Sequence, residues 1–323
     1  MNELIEKIWY GRHPLRWFLL PFSLIYKQVV WVRRFYLKRF CTKIFPIPII
    51  VVGNLTVGGA GKTPLVIALA QKLRERGLRV GIVSRGYGAS VKQFPHEVKP
   101  DANARLAGDE PLLLARRTQC PVVIDPKRVR AVQYLMDTYQ SQIILSDDGL
   151  QHYALGRALE IMVIDGVRGL GNGMCLPAGP LREDVSRLQQ AHFLIANGGQ
   201  WPGAFTMELM PGQLTQLTSG KPLPLGRLTG AVAAIAGIGH PQRFYNTLSK
   251  LGVAFTPYSF PDHHPYTQEE LCFAEKTLVM TEKDAVKCQA FATDEMYFLP
   301  VEAQVNNAFW DALWSHEQLQ GYV

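Results

Sequence analysis

The stretch IPIIVVGNLTVGGAGKTP at residues 47–64 decides the fold of this 323-residue chain. Its first six residues are apolar and mostly β-branched, which is typical of a buried parallel strand. Glycines then allow tight backbone turns, and Lys62 leads into the helical pattern LVIALAQKLRER. A second strand pattern follows at 79–84. Strand, glycine-rich loop, helix and strand in this order predict a phosphate-binding loop.

The loop residues are the predicted nucleotide contacts. Backbone N–H groups curl around a phosphate, and the following helix N-terminus adds a positive dipole. Lys62 is expected to reach the β- and γ-phosphates, and the Thr63 hydroxyl to ligate Mg²⁺. The usual motif has Gly at the place of Thr56, and we expect Gly58 and Gly59 to compensate. The predicted contacts are Thr56, Val57, Gly58, Gly59, Ala60, Gly61, Lys62 and Thr63.

A second acidic strand end is expected to hold the metal ion. Residues 142–148 read QIILSDD, an apolar strand pattern that ends in Asp147 and Asp148. Such an acid at the carboxyl edge of a parallel sheet binds Mg²⁺ directly or through water. The pattern does not decide which of the two carboxylates faces the metal.

The nucleotide is predicted to be ATP. Guanine-specific loops use N-K-x-D, whereas residues 281–284 read Thr-Glu-Lys-Asp, with the lysine one place late. Dimeric switch ATPases of the MinD type carry an early lysine where this chain has Val57. The expected reaction is therefore phosphoryl transfer from ATP to a small acceptor.

Two clusters are candidates for handling the acceptor hydroxyl. Asp109 and Glu110 precede an apolar helical segment, where acids also occur simply because they favour helix N-termini. Asp262, His263 and His264 follow an apolar run, although adjacent histidines also occur in ordinary loops. A carboxylate base oriented by a histidine is a common arrangement for proton abstraction.

Charge separates the N-terminus from the remainder of the chain. Residues 1–45 contain nine Lys/Arg and two Asp/Glu, and residues 46–323 contain 25 of each. Three of the six tryptophans also lie before residue 32, around the interrupted apolar run WFLLPFSLIYKQVVWV at 17–32. Aromatic and basic residues around apolar ones suit the headgroup layer of an anionic membrane. We expect a helix that lies in the membrane surface; packing on the protein's own body is the alternative.

Composition excludes several other classes. With 47% hydrophobic and 19% charged residues, the chain is ordinary globular protein and not a disordered one. Five scattered cysteines argue against a disulfide framework or a zinc site and fit a reducing compartment. The body has no net positive charge, so a nucleic-acid partner is not expected. No obligate protein partner is evident.

Alternation of strand and helix patterns predicts an α/β fold with a mostly parallel sheet covered by helices on both faces. Strands are predicted at 48–52, 79–84, 121–125, 142–147, 160–165 and 192–196, with helices at 64–76, 111–117 and 127–139. Later helices are predicted from Pro241, near 267–275 and near 306–316. The predicted division is a membrane-associated segment (1–45), a P-loop core (46–199), a linker or hairpin (200–228) and a smaller α/β domain (229–323).

Seven phrases in order resemble one known family. They are VGNLTVGGAGKTP (52–64), SRGYG (84–88), GDEP (108–111), DDGLQH (147–152), LPAGPLRE (176–183), GIGHP (237–241) and TEKDAVK (281–287). Together they closely resemble the tetraacyldisaccharide 4'-kinases of the lipid A pathway in Gram-negative bacteria. The resemblance extends from the N-terminal segment to about residue 300.

The resemblance implies an activity and a location. Such a kinase phosphorylates the 4'-hydroxyl of tetraacyldisaccharide 1-phosphate with ATP and Mg²⁺, giving lipid IVA, at the cytoplasmic face of the inner membrane. The glycolipid substrate and the membrane surface would then be the partners of this chain.

The resemblance also implies roles for particular residues. Asp109 looks like the catalytic base, with His263 as its first-choice partner and His264 as the second. Lys62 and Asp148 join it in catalysis, while Thr63, Asp147, Asp148 and Glu110 are the candidates for organising Mg²⁺. The candidate substrate contacts are Arg85, Tyr87, His152 and Arg182. If His263 acts with Asp109, the site spans both predicted domains.

Two rival functions remain at the level of sequence. Another ATP-dependent small-molecule kinase or ligase would use the same loop but would not need the basic, aromatic N-terminus. A membrane-docked nucleotide switch would not need Asp109 and His263 and would not depend on an acceptor.

Overall fold

The computed structural model describes residues 3–224, 226, 228 and 230–322 of the chain. Its strands within this part, in chain order, are β1 (Ile49–Gly53), β2 (Val80–Ser84), β3 (His96–Val98), β4 (Val122–Ile124), β5 (Ile143–Ser146), β6 (Leu159–Asp165), β7 (Phe193–Asn197), β8 (Phe205–Pro211), β9 (Thr215–Gln216), β10 (Val232–Ala236), β11 (Thr256–Ser259), β12 (Thr277–Thr281), β13 (Met296–Leu299) and β14 (Val301–Val305).

The helices cover both sheets that these strands form. In the described residues they are α1 (Glu3–Tyr10), α2 (Leu15–Tyr36), α3 (Lys62–Glu75), α4 (Ala104–Ala107), α5 (Asp109–Thr118), α6 (Arg128–Tyr139), α7 (Pro241–Lys250), α8 (Glu282–Cys288) and α9 (Asn307–Trp314). A π-helical turn (Leu37–Cys41) continues α2, and short 3₁₀ turns lie at Val185–Gln190, Glu269–Leu271, Gln289–Phe291 and Glu317–Leu319.

Nine of these strands form one sheet in the order β14-β8-β7-β6-β1-β5-β2-β4-β3. The central pairs β1–β5, β1–β6 and β2–β5 are parallel. The prediction of a mostly parallel sheet is confirmed, and so are its six early strands. Because parallel strands end at one edge, the segments after β1, β2 and β5 converge there, which is where ligands bind in open α/β sheets.

Alternation along β1 explains the two helical layers. Ile50 and Val52 are buried in the same cluster as the inner residues of α3 and α5. Ile49 and Val51 point to the other face and pack with α6. Successive side chains of a strand face opposite sides, so a strand buried on both faces reads as an unbroken apolar run.

The other five strands form a separate sheet in the order β11-β10-β12-β13-β9. Its β10, β11, β12 and β13 are parallel, and β9 joins antiparallel. Helices α7 and α8 pack on its two faces. We call this sheet with its helices the small unit, and the nine-stranded sheet with its helices the large unit.

Sheet membership differs from the predicted division in two places. β8, predicted as linker, pairs in parallel with β7, and β14, predicted in the smaller domain, pairs antiparallel with β8. The chain thus returns to the large unit after β13, because α9 buries Phe309 and Leu313 in the large unit's core. The predicted boundary at Thr229 lies outside the described residues.

One predicted helix is wrong. Residues 267–275 contain only the 3₁₀ turn Glu269–Leu271. Leu271 is the one buried residue of that turn, so a longer helix here would gain little packing. The helices predicted from Pro241 and near 306–316 are present as α7 and α9.

The N-terminal segment forms two helices that lie against the large unit. On α2 the Ser23 hydroxyl donates to the Cys175 carbonyl at 2.7 Å, and the Tyr26 hydroxyl donates to the Arg182 carbonyl at 3.1 Å. The opposite side exposes apolar residues at helical spacing, each 54–71% exposed, which we call the apolar stripe: Phe18, Phe22, Ile25, Val29, Val32 and Tyr36. Within the described residues, none of the helices has the length and apolarity needed to span a membrane.

Truncation of Phe309 tests the return of the chain to the large unit. Its ring is fully buried and contacts the rings of Phe193 and Phe205. We expect Phe309→Ala to destabilise the protein by about 3–5 kcal/mol in urea unfolding, through lost burial and a residual cavity. The control is Phe40→Ala, because Phe40 is 66% exposed and should matter by less than about 0.5 kcal/mol. Equal effects of the two substitutions would contradict the assignment.

Candidate functional site

The glycine-rich loop connects β1 to the first turn of α3. Gly58 and Gly61 adopt φ values of 108° and 92°, which favour glycine. A Cβ at position 61 would also collide with the Asn197 side-chain amide, which donates to the Ala60 carbonyl at 2.9 Å. Residues 57–63 line a large cleft, so the loop presents its backbone to that space.

Two side chains of the large unit hold the ammonium group of Lys62. Its Nζ donates to Oδ1 of Asn54 at 2.9 Å and lies 3.5 Å from Oδ1 of Asp148. The Asn54 amide in turn donates to the Thr56 carbonyl at 2.8 Å. Sequence reasoning did not single out Asn54, although its position directly after a buried strand was a usable signal.

The start of the loop is anchored and not free. Thr56 is buried and bridges to Leu181, while the Val57 N–H donates to the Pro180 carbonyl at 2.8 Å. Thr56 is not among the cleft-lining residues, in contrast to residues 57–63. Its φ is not positive, so this position does not require the glycine of the usual motif. The predicted Thr56 contact therefore lies behind the loop.

Asp147 and Asp148 follow β5, and their surroundings shift the pKa values of the two carboxylates in opposite directions. Asp148 accepts from Nη1 of Arg182 at 3.0 and 3.1 Å. Burial would raise the pKa of Asp148, but the charges of Lys62 and Arg182 hold it well below its usual value. Asp147 is 1% exposed, and its Oδ1 has no hydrogen-bond partner. Burial, then the charges of Glu110 and Asp148, raise the pKa of Asp147 to about 7.

This arrangement fits a divalent cation. Oδ1 of Asp147 has no hydrogen-bond partner, and the charges of Glu110 and Asp148 act on this carboxylate more strongly than those of Lys62 and Arg128, so a cation would supply the missing partner. Over the described ranges, no three His, Cys, Asp or Glu side chains come together as a ready metal cage. Mg²⁺ does not need such a cage, because it is usually held by one or two carboxylates together with waters and substrate phosphates.

Asp109 and His263 meet across the cleft from different units. Nδ1 of His263 lies 2.9 Å and 3.0 Å from the two carboxylate oxygens of Asp109, which is 5% exposed at the start of α5. Burial would raise the pKa of Asp109, but the His263 hydrogen bond and the Lys283 charge bring it below its ordinary value. The hydrogen bond to Asp109 raises the pKa of His263. A buried, ionised carboxylate beside an oriented imidazole is suited to accept a proton.

Of the two adjacent histidines, His263 is the one that reaches Asp109. His264 points away and pairs with Glu270, with Nε2 3.1 Å from the carboxylate oxygen. His263 has φ 61°, an uncommon conformation for a non-glycine residue. Strained backbone of this kind concentrates at functional sites. The sequence left this choice open because it contained no information on loop geometry.

The predicted substrate residues line the same cleft, which has a volume of about 1420 Å³. Arg85, His152 and Arg182 lie on its large-unit wall, and Tyr87 lies with its ring 5.1 Å from the ring of His263. Burial and neighbouring arginines, Arg128 first, lower the pKa of His152 to about 4. Tyr26, Val30 and Arg33 of α2 also line this space, so the cleft opens beside the N-terminal helix.

Glycine loop, lysine and paired acids at the edge of a parallel sheet define a P-loop nucleotide-binding protein. A family model described as Tetraacyldisaccharide-1-P 4'-kinase (LpxK) matches residues 15–318. The chain therefore belongs to the tetraacyldisaccharide 4'-kinase family.

Individual relatives agree with this assignment. The tetraacyldisaccharide 4'-kinase of Legionella pneumophila (strain Lens) is 57% identical over 322 residues, 100% of both chains. That of Pseudomonas fluorescens (strain Pf0-1) is 47% identical and covers 99% of this chain and 96% of its own. The crystal structure of LpxK from Aquifex aeolicus in complex with ATP has a TM-score of 0.78 at 28% identity, covering 93% of this chain and 98% of that one.

Titration of His152 tests the electrostatics of the cleft wall. We expect its imidazole to titrate near pH 4 in the folded protein, below the ordinary 6.5. Because the unfolded chain then binds more protons, this residue removes stability as the pH falls from 6.5 towards 4. Nuclear magnetic resonance titration, with the signal assigned from His152→Gln, measures the midpoint. A midpoint near 6.5 would contradict the effect both of burial and of the neighbouring arginines on this imidazole.

Proposed function

We propose that this chain transfers the γ-phosphoryl group of ATP to the 4'-hydroxyl of tetraacyldisaccharide 1-phosphate, giving lipid IVA. The observation that carries the proposal is the Asp109–His263 pair: His263 lines the same cleft as the glycine loop and Lys62, and its Nδ1 lies 2.9 Å from the buried carboxylate of Asp109. A nucleotide switch does not need such a pair. The family to which the chain belongs supports the choice of acceptor.

The donor side would be held by the loop. Backbone N–H groups of residues 58–61, the start of α3 and Lys62 would bind the phosphates of ATP. Mg²⁺, held by Thr63 and the acidic pair with Glu110 near by, would supply positive charge against the charge that develops on the phosphoryl oxygens. Asp148 lines the cleft but pairs with Arg182 through both oxygens, whereas Asp147 is buried with one oxygen unpartnered, so both carboxylates stay candidates for ligation.

The acceptor side would use the Asp109–His263 pair. Asp109 stays ionised near neutral pH, so it can accept the proton of the sugar hydroxyl as that oxygen attacks phosphorus. His263 keeps the carboxylate oriented through its Nδ1. Arg85, Tyr87 and His152 would contact the disaccharide, and Arg182 would act both on substrate and as the partner of Asp148.

We also infer that the chain works as two α/β units with the reaction between them. Asp109 and Lys62 belong to the large unit, and His263 to the small unit, so docking of the units completes the site. Exclusion of water from such a cleft strengthens every charge interaction inside it.

The N-terminal helices would hold the enzyme on its lipid substrate. The apolar stripe of α2 faces solvent, and basic residues such as Arg16, Arg33 and Arg39 flank it. That combination suits the anionic cytoplasmic face of the bacterial inner membrane. The cleft opens beside α2, so a sugar headgroup could enter while its acyl chains stay in the bilayer.

A radiolabel transfer assay tests the proposed reaction. With γ-labelled ATP, Mg²⁺ and detergent-dispersed disaccharide 1-phosphate, we expect label in the glycolipid from the wild-type protein. Lys62→Ala should lose nearly all transfer, and Asp109→Asn should lose about 10²–10⁴-fold, the range for removal of a general base.

Matched surface variants serve as controls for that assay. Lys72→Ala lies on the same helix as Lys62, and Lys72 pairs with Glu75 away from the loop. Asp137→Asn replaces an exposed carboxylate on α6. Both should keep wild-type rates. ATP hydrolysis without labelled lipid would contradict the proposed acceptor.

Vesicle binding tests the membrane proposal. We expect the wild-type protein to sediment with vesicles that contain anionic lipid and much less with neutral ones. A double variant, Phe18→Glu and Ile25→Glu, places two charges on the apolar stripe and should lower binding at least tenfold. Leu106→Glu, at an exposed position of α4, is the control and should bind normally. Undiminished binding by the double variant would exclude α2 as the docking surface.

A further inference from the structure

Lys283 lies at the point where the two units meet around the Asp109–His263 pair. Its Nζ is 2.9 Å from Oε1 of Glu110, 3.2 Å from Oδ1 of Asp262 and 3.9 Å from Oδ2 of Asp109. The side chain is only 17% exposed. A single ammonium group therefore lies within 4 Å of three carboxylates, two from the large unit and one from the small unit.

This position is locally unfavourable for a lysine. Lys283 occupies the first turn of α8, where the helix dipole disfavours a cation. Taking the ammonium out of water adds a further cost. Carboxylates of Glu110, Asp262 and Asp109 surround the ammonium and offset both costs. These carboxylates belong to the site, which points to a role of Lys283 there and not in helix stability.

Lys283 also approaches the far side of the His263 ring. Its Nζ is 3.5 Å from Nε2, while Nδ1 of the same ring contacts Asp109. The other groups that face the ring are Asp262, at 3.9 Å from Nε2, and Tyr87. Lys283 is thus the one cation in this set of neighbours, and its ammonium approaches both Asp109 and His263.

From this geometry we infer that Lys283 is a positioning residue for phosphoryl transfer. It holds the side chains of Asp109 and His263 in their relative positions across the cleft. The inference rests on the proposed function. Without the ammonium, Asp109, Glu110 and Asp262 would repel one another, and the base would lose its alignment with the acceptor. A misplacement of about 1 Å is enough to lower a rate by about 10²-fold.

A second ion pair between α5 of the large unit and α8 of the small unit provides a matched control. Nη1 of Arg117, near the end of α5, lies 2.7 Å from Glu282 of α8. This pair also joins the large unit to the small unit, but neither residue contacts Asp109 or His263. It separates two roles of Lys283, because a residue that only fastens the units together should behave like Arg117.

The experiment compares Lys283→Met, Lys283→Arg and Arg117→Met with the wild-type protein. For Lys283→Met we expect kcat to fall about 10–100-fold, while KM for ATP and for the disaccharide 1-phosphate changes less than about threefold. Lys283→Arg keeps the charge and should recover most of the rate. Arg117→Met should keep a kcat near that of the wild type.

Nuclear magnetic resonance of the His263 imidazole gives a readout that does not depend on activity. Loss of the ammonium removes a charge that disfavours the imidazolium, so the pKa of His263 should rise in Lys283→Met and stay unchanged in Arg117→Met. The signal is assigned from His263→Gln, and circular dichroism checks that each variant is folded.

The outcomes separate the possible roles. A kcat loss shared equally by Arg117→Met, an increase confined to KM, or wild-type kinetics of Lys283→Met would each overturn the inference. If the wild-type protein transfers no phosphate to the glycolipid, the proposed function fails. The titration of His263 then still decides whether Lys283 acts on that ring, and an unchanged midpoint would end the inference.

Discussion

The burial of Asp109 is the constraint on which the rest of the structure depends. A carboxylate that is 5% exposed is costly to keep ionised unless a partner faces it. The direct contacts to its side-chain oxygens from another unit come from His263 and Lys283. The large unit therefore carries a charge that the small unit neutralises, and the docked arrangement of the two sheets follows from that need.

The same arrangement explains the path of the chain. The chain leaves the large unit after β8, forms the small unit, and returns in β14, which pairs with β8. Two adjacent chain segments thus connect the units, which limits how far they can separate. The parallel order of β2, β5 and β1 brings the glycine loop, the acidic pair and the 84–88 segment to one edge, and α2 lines the mouth of the cleft beside them.

Local signals made the large unit and its loop predictable. These signals are the unbroken β-branched strands, the glycines before Lys62 and the acids after β5. Each depends only on residues close together in the sequence, and the strands and the loop lie where the patterns predicted. The choice between His263 and His264 depended on a loop at φ 61°, and the importance of Lys283 depended on the packing of α8 against α5. The return of β14 was hidden because its apolar residues read equally well as part of either sheet. The anchoring of Thr56 by Leu181 is a contact between distant segments, which a pattern within one segment does not contain.

The most direct measurement is a double-mutant cycle on the single-turnover transfer rate with Asp109→Asn and His263→Gln. If the two residues act as one unit, the double variant should be no more than about threefold slower than Asp109→Asn alone. Effects that multiply would mean that His263 acts independently of Asp109. The contact across the cleft would then not be the basis of the chemistry, and the account given for both units would be wrong.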